Sequence, residues 1–149
     1  FSFSPSQITA ANGTVVTFQF TGVPGNHSVT QSSFASPCQP LDGGFDSGWI
    51  FVNTTSDTPP EWSVTITDDS KPIWFYCKSK GPTARTVCNL LHLCDAGCMV
   101  GVINVKNGTN TFDAFQAAAK SDKAPGQAQG GLVGVGASAS AEPFVPSGA

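Results

Sequence analysis

The side chains best suited to redox or soft-metal chemistry are two histidines, His27 and His92, five cysteines, Cys38, Cys77, Cys88, Cys94 and Cys98, and the single methionine, Met99. In chain order, His27 comes from an early Gly/Pro-rich turn, and Cys77, His92 and Met99 follow much later. Two imidazoles, a thiolate and a thioether in that order are the donors of a type 1 copper site, with a trigonal N2S set completed by a long axial sulfur bond. The expected metal ligands are therefore His27, Cys77, His92 and Met99, and the expected cofactor is copper. Cys88, His92, Cys94 and Cys98 could instead form a Cys3His zinc site. Their spacing is loose for one, and an oxidising compartment favours disulfides over thiolates. A multicopper oxidase needs more than two histidines, and no G-x-S-x-G elbow marks a serine hydrolase. A one-electron carrier makes and breaks no substrate bonds, so no enzymatic activity is expected.

These donors must be held by β-structure. Val16, Phe18 and Phe20 alternate with Thr17 and Gln19, and Trp62, Val64 and Ile66 alternate with Ser63, Thr65 and Thr67. A period of two predicts half-buried strands. The unbroken run Ile73-Trp74-Phe75-Tyr76-Cys77 predicts a strand buried on both faces, and Met99 to Val105 predicts another, rich in Val and Ile. Phe1 to Thr9 and His27 to Gln31 are weaker strand candidates. Gly22, Pro24 and Gly25, Asp42-Gly43-Gly44, Pro59-Pro60 and Asp68-Asp69 supply turn signals between them. Many short strands punctuated in this way predict an all-β sandwich.

The 149-residue chain is expected to form one domain over 1–120. Its C-terminal part carries one short helix, Thr111 to Lys120, capped by Thr111 and presenting Phe112 and Phe115 on one face. From Ser121 onward Gly, Ala, Ser and Pro dominate. Residues 121–149 are expected to be a flexible tail or stalk, because such a composition buries too little apolar area to offset its ordering entropy.

Only 11% of residues are charged, and the net charge is −3 with no basic run. Nucleic-acid binding has no electrostatic support, and no apolar stretch is long enough to span a membrane. Five cysteines in so short a chain point to an oxidising compartment, where disulfides persist. N-x-Ser/Thr acceptors stand at Asn12, Asn26, Asn53 and Asn107. Secretion with the signal peptide already removed is the expected history, with glycans in exposed turns at Asn12, Asn53 and Asn107. Asn26 adjoins His27, where a glycan would crowd a metal site.

The stretch Asn26-His27-Ser28-Val29-Thr30-Gln31-Ser32-Ser33-Phe34 resembles fungal extracellular cupredoxin-like proteins of the serine-rich, blue-copper type. So do Pro37-Cys38-Gln39-Pro40-Leu41, Gly43-Gly44-Phe45-Asp46-Ser47-Gly48, Pro72-Ile73-Trp74-Phe75-Tyr76-Cys77-Lys78, Gly101-Val102-Ile103-Asn104 and Thr111 to Ala117. The resemblance implies a Greek-key cupredoxin-like sandwich at a cell surface or cell wall, with His27 and Cys77 at ligand positions. It also implies that Cys38 bridges the cysteine after the second ligand histidine, which here is Cys94. Two departures stand out. Lys78 to Leu91 lie between Cys77 and His92 where the family has a handful of residues, and Cys98 interrupts a Gly-Met pair. Cys88 and Cys98 are extra to the family pattern and are expected to bridge each other, leaving Cys77 as the ligand thiol.

The rival expectation is a metal-free structural or interaction glycoprotein of the extracellular matrix or cell wall, its partner a wall polymer rather than a redox protein. Relatives tend to carry another strand before the one that opens this chain. A sheet edge left open there would pair with another chain, so self-association belongs to this second reading.

Overall fold

The computed structural model describes residues 2–78, 99–121 and 134–140. Within them the chain forms an all-β, sandwich-like fold with a single helix. The strands are β1 (Gln7–Ile8), β2 (Val15–Gln19), β3 (Gly25–His27), β4 (Thr30–Ser32), β5 (Ile50–Val52), β6 (Glu61–Thr65), β7 (Ile73–Tyr76), β8 (Val100–Ile103) and β9 (Ser138–Ala139), and the helix α1 spans Phe112–Ser121. One sheet has the order β1-β8-β7-β4 and a second the order β2-β6-β9, while β3 and β5 form a two-stranded ribbon.

The alternating segments behave as their patterns predict. In β2 and β6, which pair antiparallel from Val15↔Thr65 to Gln19↔Glu61, Val16, Trp62 and Val64 are buried and Thr17, Ser63 and Thr65 are not. These buried residues join Phe20, Val29, Ile50, Val52, Ile66, Phe75 and Ile103 in the core.

The aromatic run of β7 is buried on both faces. Phe75 points into the core between the sheets, whereas Trp74 and Tyr76 pack on the opposite side with Val100, Val102 and the α1 residues Phe112, Phe115 and Ala119. The Trp74 and Phe115 ring centroids lie 4.5 Å apart. The helix starts as its sequence dictates, with Thr111 Oγ1 accepting from the Ala114 N–H at 3.1 Å.

Gly101 faces Phe75 across the β7–β8 ladder. A Cβ there would fall 2.4 Å from Phe75 Cζ and 3.1 Å from the Ser6 carbonyl oxygen. The Phe75 ring cannot swing away easily, since Phe3 and Phe18 meet it edge-on at 4.9 and 5.3 Å. Gly101→Ala should therefore lower unfolding free energy by about 1–3 kcal/mol, the usual cost of overpacking, as measured by chemical denaturation. An unchanged midpoint would mean that the aromatic cluster is loose.

Three features depart from the sequence expectations. The stretch expected as one strand, His27 to Gln31, is two short strands in different sheets. Ser28 and Val29 carry the chain between them, with their N–H groups bonded to Cys77 Sγ and Ser47 Oγ instead of to a ladder. The strand β5, Ile50–Val52, has no alternation long enough to announce it. Finally, the Gly/Ala-rich stretch expected to be flexible returns residues 134–140 to the fold. Its strand β9 pairs with β6 through Trp62↔Ala139 and Ser63↔Ser138, and Ala137 and Ala139 pack against the core. Backbone hydrogen bonds to an edge strand need no apolar side chains, so composition did not reveal it. No helix of the described residues is long and apolar enough to cross a membrane.

Candidate metal centre

Cys77 lies just past the end of β7 and is 1% exposed. It carries a thiol, not a disulfide sulfur. The Ser28 N–H donates to its Sγ at 3.3 Å, and the Cys77 N–H donates to the Met99 carbonyl at 2.9 Å. An N–H dipole aimed at sulfur stabilises thiolate over thiol. In return the Lys78 N–H donates to Ser28 Oγ at 2.9 Å. Two hydrogen bonds thus tie the turn after β3 to the end of β7 and fix the sulfur against residue 28.

His27 ends β3 and is 4% exposed. Its Nε2 lies 2.7 Å from the Gly22 carbonyl oxygen. A carbonyl only accepts, so Nε2 carries the proton, and in the neutral ring the lone pair sits on Nδ1. A backbone carbonyl on one ring nitrogen is the usual support for a histidine that ligates through the other.

Burial pushes the His27 pKa below its ordinary 6.5, and the Gly22 bond opposes this only in part. The neutral ring, which a metal requires, is thereby favoured. The folded pKa lies below the unfolded one, so the unfolded chain binds more protons as the pH falls. The contribution of His27 to stability is full above 6.5 and is lost as the pH drops through the folded value.

Met99, 8% exposed, immediately precedes β8. It lines the same cavity of about 570 Å³ as His27 and Ser28, a cavity otherwise walled by Phe3, Val16 and Phe18 among others. Of the four expected ligands, His27 adjoins Ser28 in the chain, Cys77 Sγ accepts from the Ser28 N–H, and Met99 lines one cavity with His27 and Ser28, a cavity that Cys77 does not line. The fourth, His92, lies outside the described residues, as do Cys88, Cys94 and Cys98 and with them the alternative zinc set. Among the described residues no three His, Cys, Asp or Glu side chains cluster as a metal site on their own.

Residue types alone gave no hint of the polar network beside this centre. Lys78 follows Cys77 and is 2% exposed. Its ammonium donates to Asp46 Oδ2 at 2.6 Å and lies 5.6 Å from the centroid of the Trp49 ring. Asp46 Oδ1 accepts from the Gly48 N–H at 2.8 Å and from Thr30 Oγ1 at 3.2 Å. The Thr30 hydroxyl lies 3.0 Å from that of Ser28. A hydrogen-bonded chain therefore runs from Lys78 through Asp46 and Thr30 to Ser28, the residue that touches the Cys77 sulfur. Its members come from three separate stretches of the chain, 26–34, 43–48 and 72–78, which the network ties together.

Of the four N-x-Ser/Thr acceptors, Asn12, Asn53 and Asn107 are exposed and outside strands. Asn26 is partly buried within β3, opposite Phe51 of β5, and its Oδ1 is buried with no hydrogen-bond partner among the described residues.

No protein-family model matches the chain. Among curated proteins, it is similar to one from the fungus Arthroderma benhamiae named extracellular serine-rich protein, with 29% identity over 136 residues. The matched region covers 89% of this chain and 47% of that protein, so the chain spans about half the length of the curated relative it matches.

Proposed function

We propose that this chain is a secreted, cupredoxin-like module of the cell surface that holds one copper ion on Cys77, His27, His92 and Met99 and passes single electrons to a partner, without being an enzyme. The observation that carries this reading is the buried Cys77 thiol with the N–H of Ser28, the residue after His27, on its sulfur and its own N–H bonded to the Met99 carbonyl. The donor set fits copper, because thiolate, imidazole and thioether are all soft or borderline ligands. Bound there, copper supplies a one-electron couple. The protein's part is to hold the sulfur as thiolate, to keep the His27 ring neutral and oriented through Gly22, and to keep water from the site by burying both residues.

Secretion is supported by the name of the fungal relative, by three exposed glycan acceptors and by Cys38, which is buried and disulfide-bonded. We assign Cys38–Cys94 and Cys88–Cys98 as the bridges. Peptide mapping under non-reducing conditions should recover both and leave Cys77 alkylatable. A bridge to Cys77 would exclude type 1 copper and favour the metal-free structural reading.

Two further outcomes are expected. Titration of the metal-free protein with copper(II) should give an intense visible thiolate-to-copper band that saturates at one equivalent. No band together with no stoichiometric copper refutes the reading. Site mapping by mass spectrometry after deglycosylation should find sugar at Asn12, Asn53 and Asn107 and none at Asn26, because a partly buried strand residue cannot present its amide to a transferase. A fully occupied Asn26 would mean that β3 forms only after glycosylation.

A further inference from the structure

We infer that the β6 edge is a strand-acceptor site, and that residues 134–140 of a second copy of this chain can occupy it in place of the chain's own. The inference is independent of copper. In the structure the site is filled in cis. The Thr65 N–H donates to the Val135 carbonyl at 2.9 Å, and the Ser140 N–H donates to the Glu61 carbonyl at 3.0 Å. The Glu61 N–H donates to Ser140 Oγ at 2.8 Å.

The seat selects small residues. Gly136 has φ 62°, and a Cβ on it would lie 2.5 Å from Thr65 Oγ1. Ala137 and Ala139 are the only side chains of the segment packed on the core, and Val135 is 61% exposed. Few bonds and little buried area make the seat weak, so the segment can leave it without unfolding the sandwich.

What keeps it in cis is the connection. Twelve residues, 122–133, separate α1 from Gly134. The helix packs on the outer face of the β1-β8-β7-β4 sheet, whereas β9 belongs to the other sheet. Stacked sheets are about 10 Å apart, and a helix adds roughly another 5 Å to its axis. An incoming segment from a second copy would make identical contacts. Only the effective concentration that comes with a covalent connection, on the order of millimolar at most, favours cis. Shortening the connection therefore converts the cis strand into an exchanged one.

The test is to delete residues 124–133. The two residues left span at most about 11 Å, less than the layers they must cross. Native mass spectrometry should give a dimer, with the Thr65 amide exchanging hydrogen about ten-fold or more slower than when the seat is empty. The same deletion combined with Gly136→Val should give a monomer with fast Thr65 exchange. A monomer from the deletion alone, or a dimer from the combined variant, overturns the inference. Should the deletion variant fail to fold, the full-length Gly136→Val chain serves, probed with a synthetic peptide of residues 131–141. The peptide should slow Thr65 exchange, and a peptide that does not bind overturns the inference equally.

Discussion

Asp46→Asn is expected to cost about 3–5 kcal/mol of folding free energy, because it leaves the buried Lys78 ammonium without its counter-charge. Lys78 is 2% exposed, and the bond to Asp46 Oδ2 at 2.6 Å neutralises it. The reverse substitution should be milder. Lys78→Met keeps the aliphatic stem that fills the site. It leaves a carboxylate that is 15% exposed and still accepts from Gly48 and Thr30. A loss of about 1–2 kcal/mol is expected there, near the cost of one charge-assisted hydrogen bond. Combining Asp46→Asn with Lys78→Met should recover much of the loss, since no buried charge remains. Urea denaturation of the metal-free proteins measures all three. Equal losses from the two single variants would mean that water reaches the ammonium.

This pair also marks how far the sequence could be read. The strands β2, β6 and β7 were legible because burial on one face or two imposes period-two or unbroken apolar patterns. The helix was legible from its cap and its two phenylalanines. His27, Cys77 and Met99 stand out in the sequence only as candidates, because few residue types bind soft metals and the chain holds two histidines and one methionine.

The rest depends on pairing between distant residues, which no local pattern records. Asp46 and Lys78 are common surface types, and only the fold places them together, 32 residues apart in sequence. Ser28 looks like one serine among many until β3 and β7 converge on it. Residues 134–140 were illegible for a different reason. A segment that docks through its backbone and small side chains has the composition of a linker, and Gly136 serves its tight seat as well as it would serve flexibility.

Cys77→Ser should abolish the visible copper band and weaken copper binding by more than about a hundred-fold, beyond the 10–100-fold typical of changes around a ligand. The same substitution separates a ligand from a packing residue. Serine is nearly isosteric with cysteine, and its hydroxyl can accept from the Ser28 N–H that now points at sulfur. The metal-free Cys77→Ser protein should therefore unfold within about 1 kcal/mol of the parent, since the hydrogen bond is kept and little volume is lost. Copper addition should raise the unfolding midpoint of the parent, because a ligand that binds only the native state stabilises it, and should leave the variant's unchanged. A parent that gains nothing from copper would remove the metal from this site. A metal-free variant that cannot fold would make Cys77 a core residue first, its burial at 1% exposure sufficient reason for its presence. A variant that folds as the parent does and differs only in copper would make Cys77 a ligand rather than a packing residue.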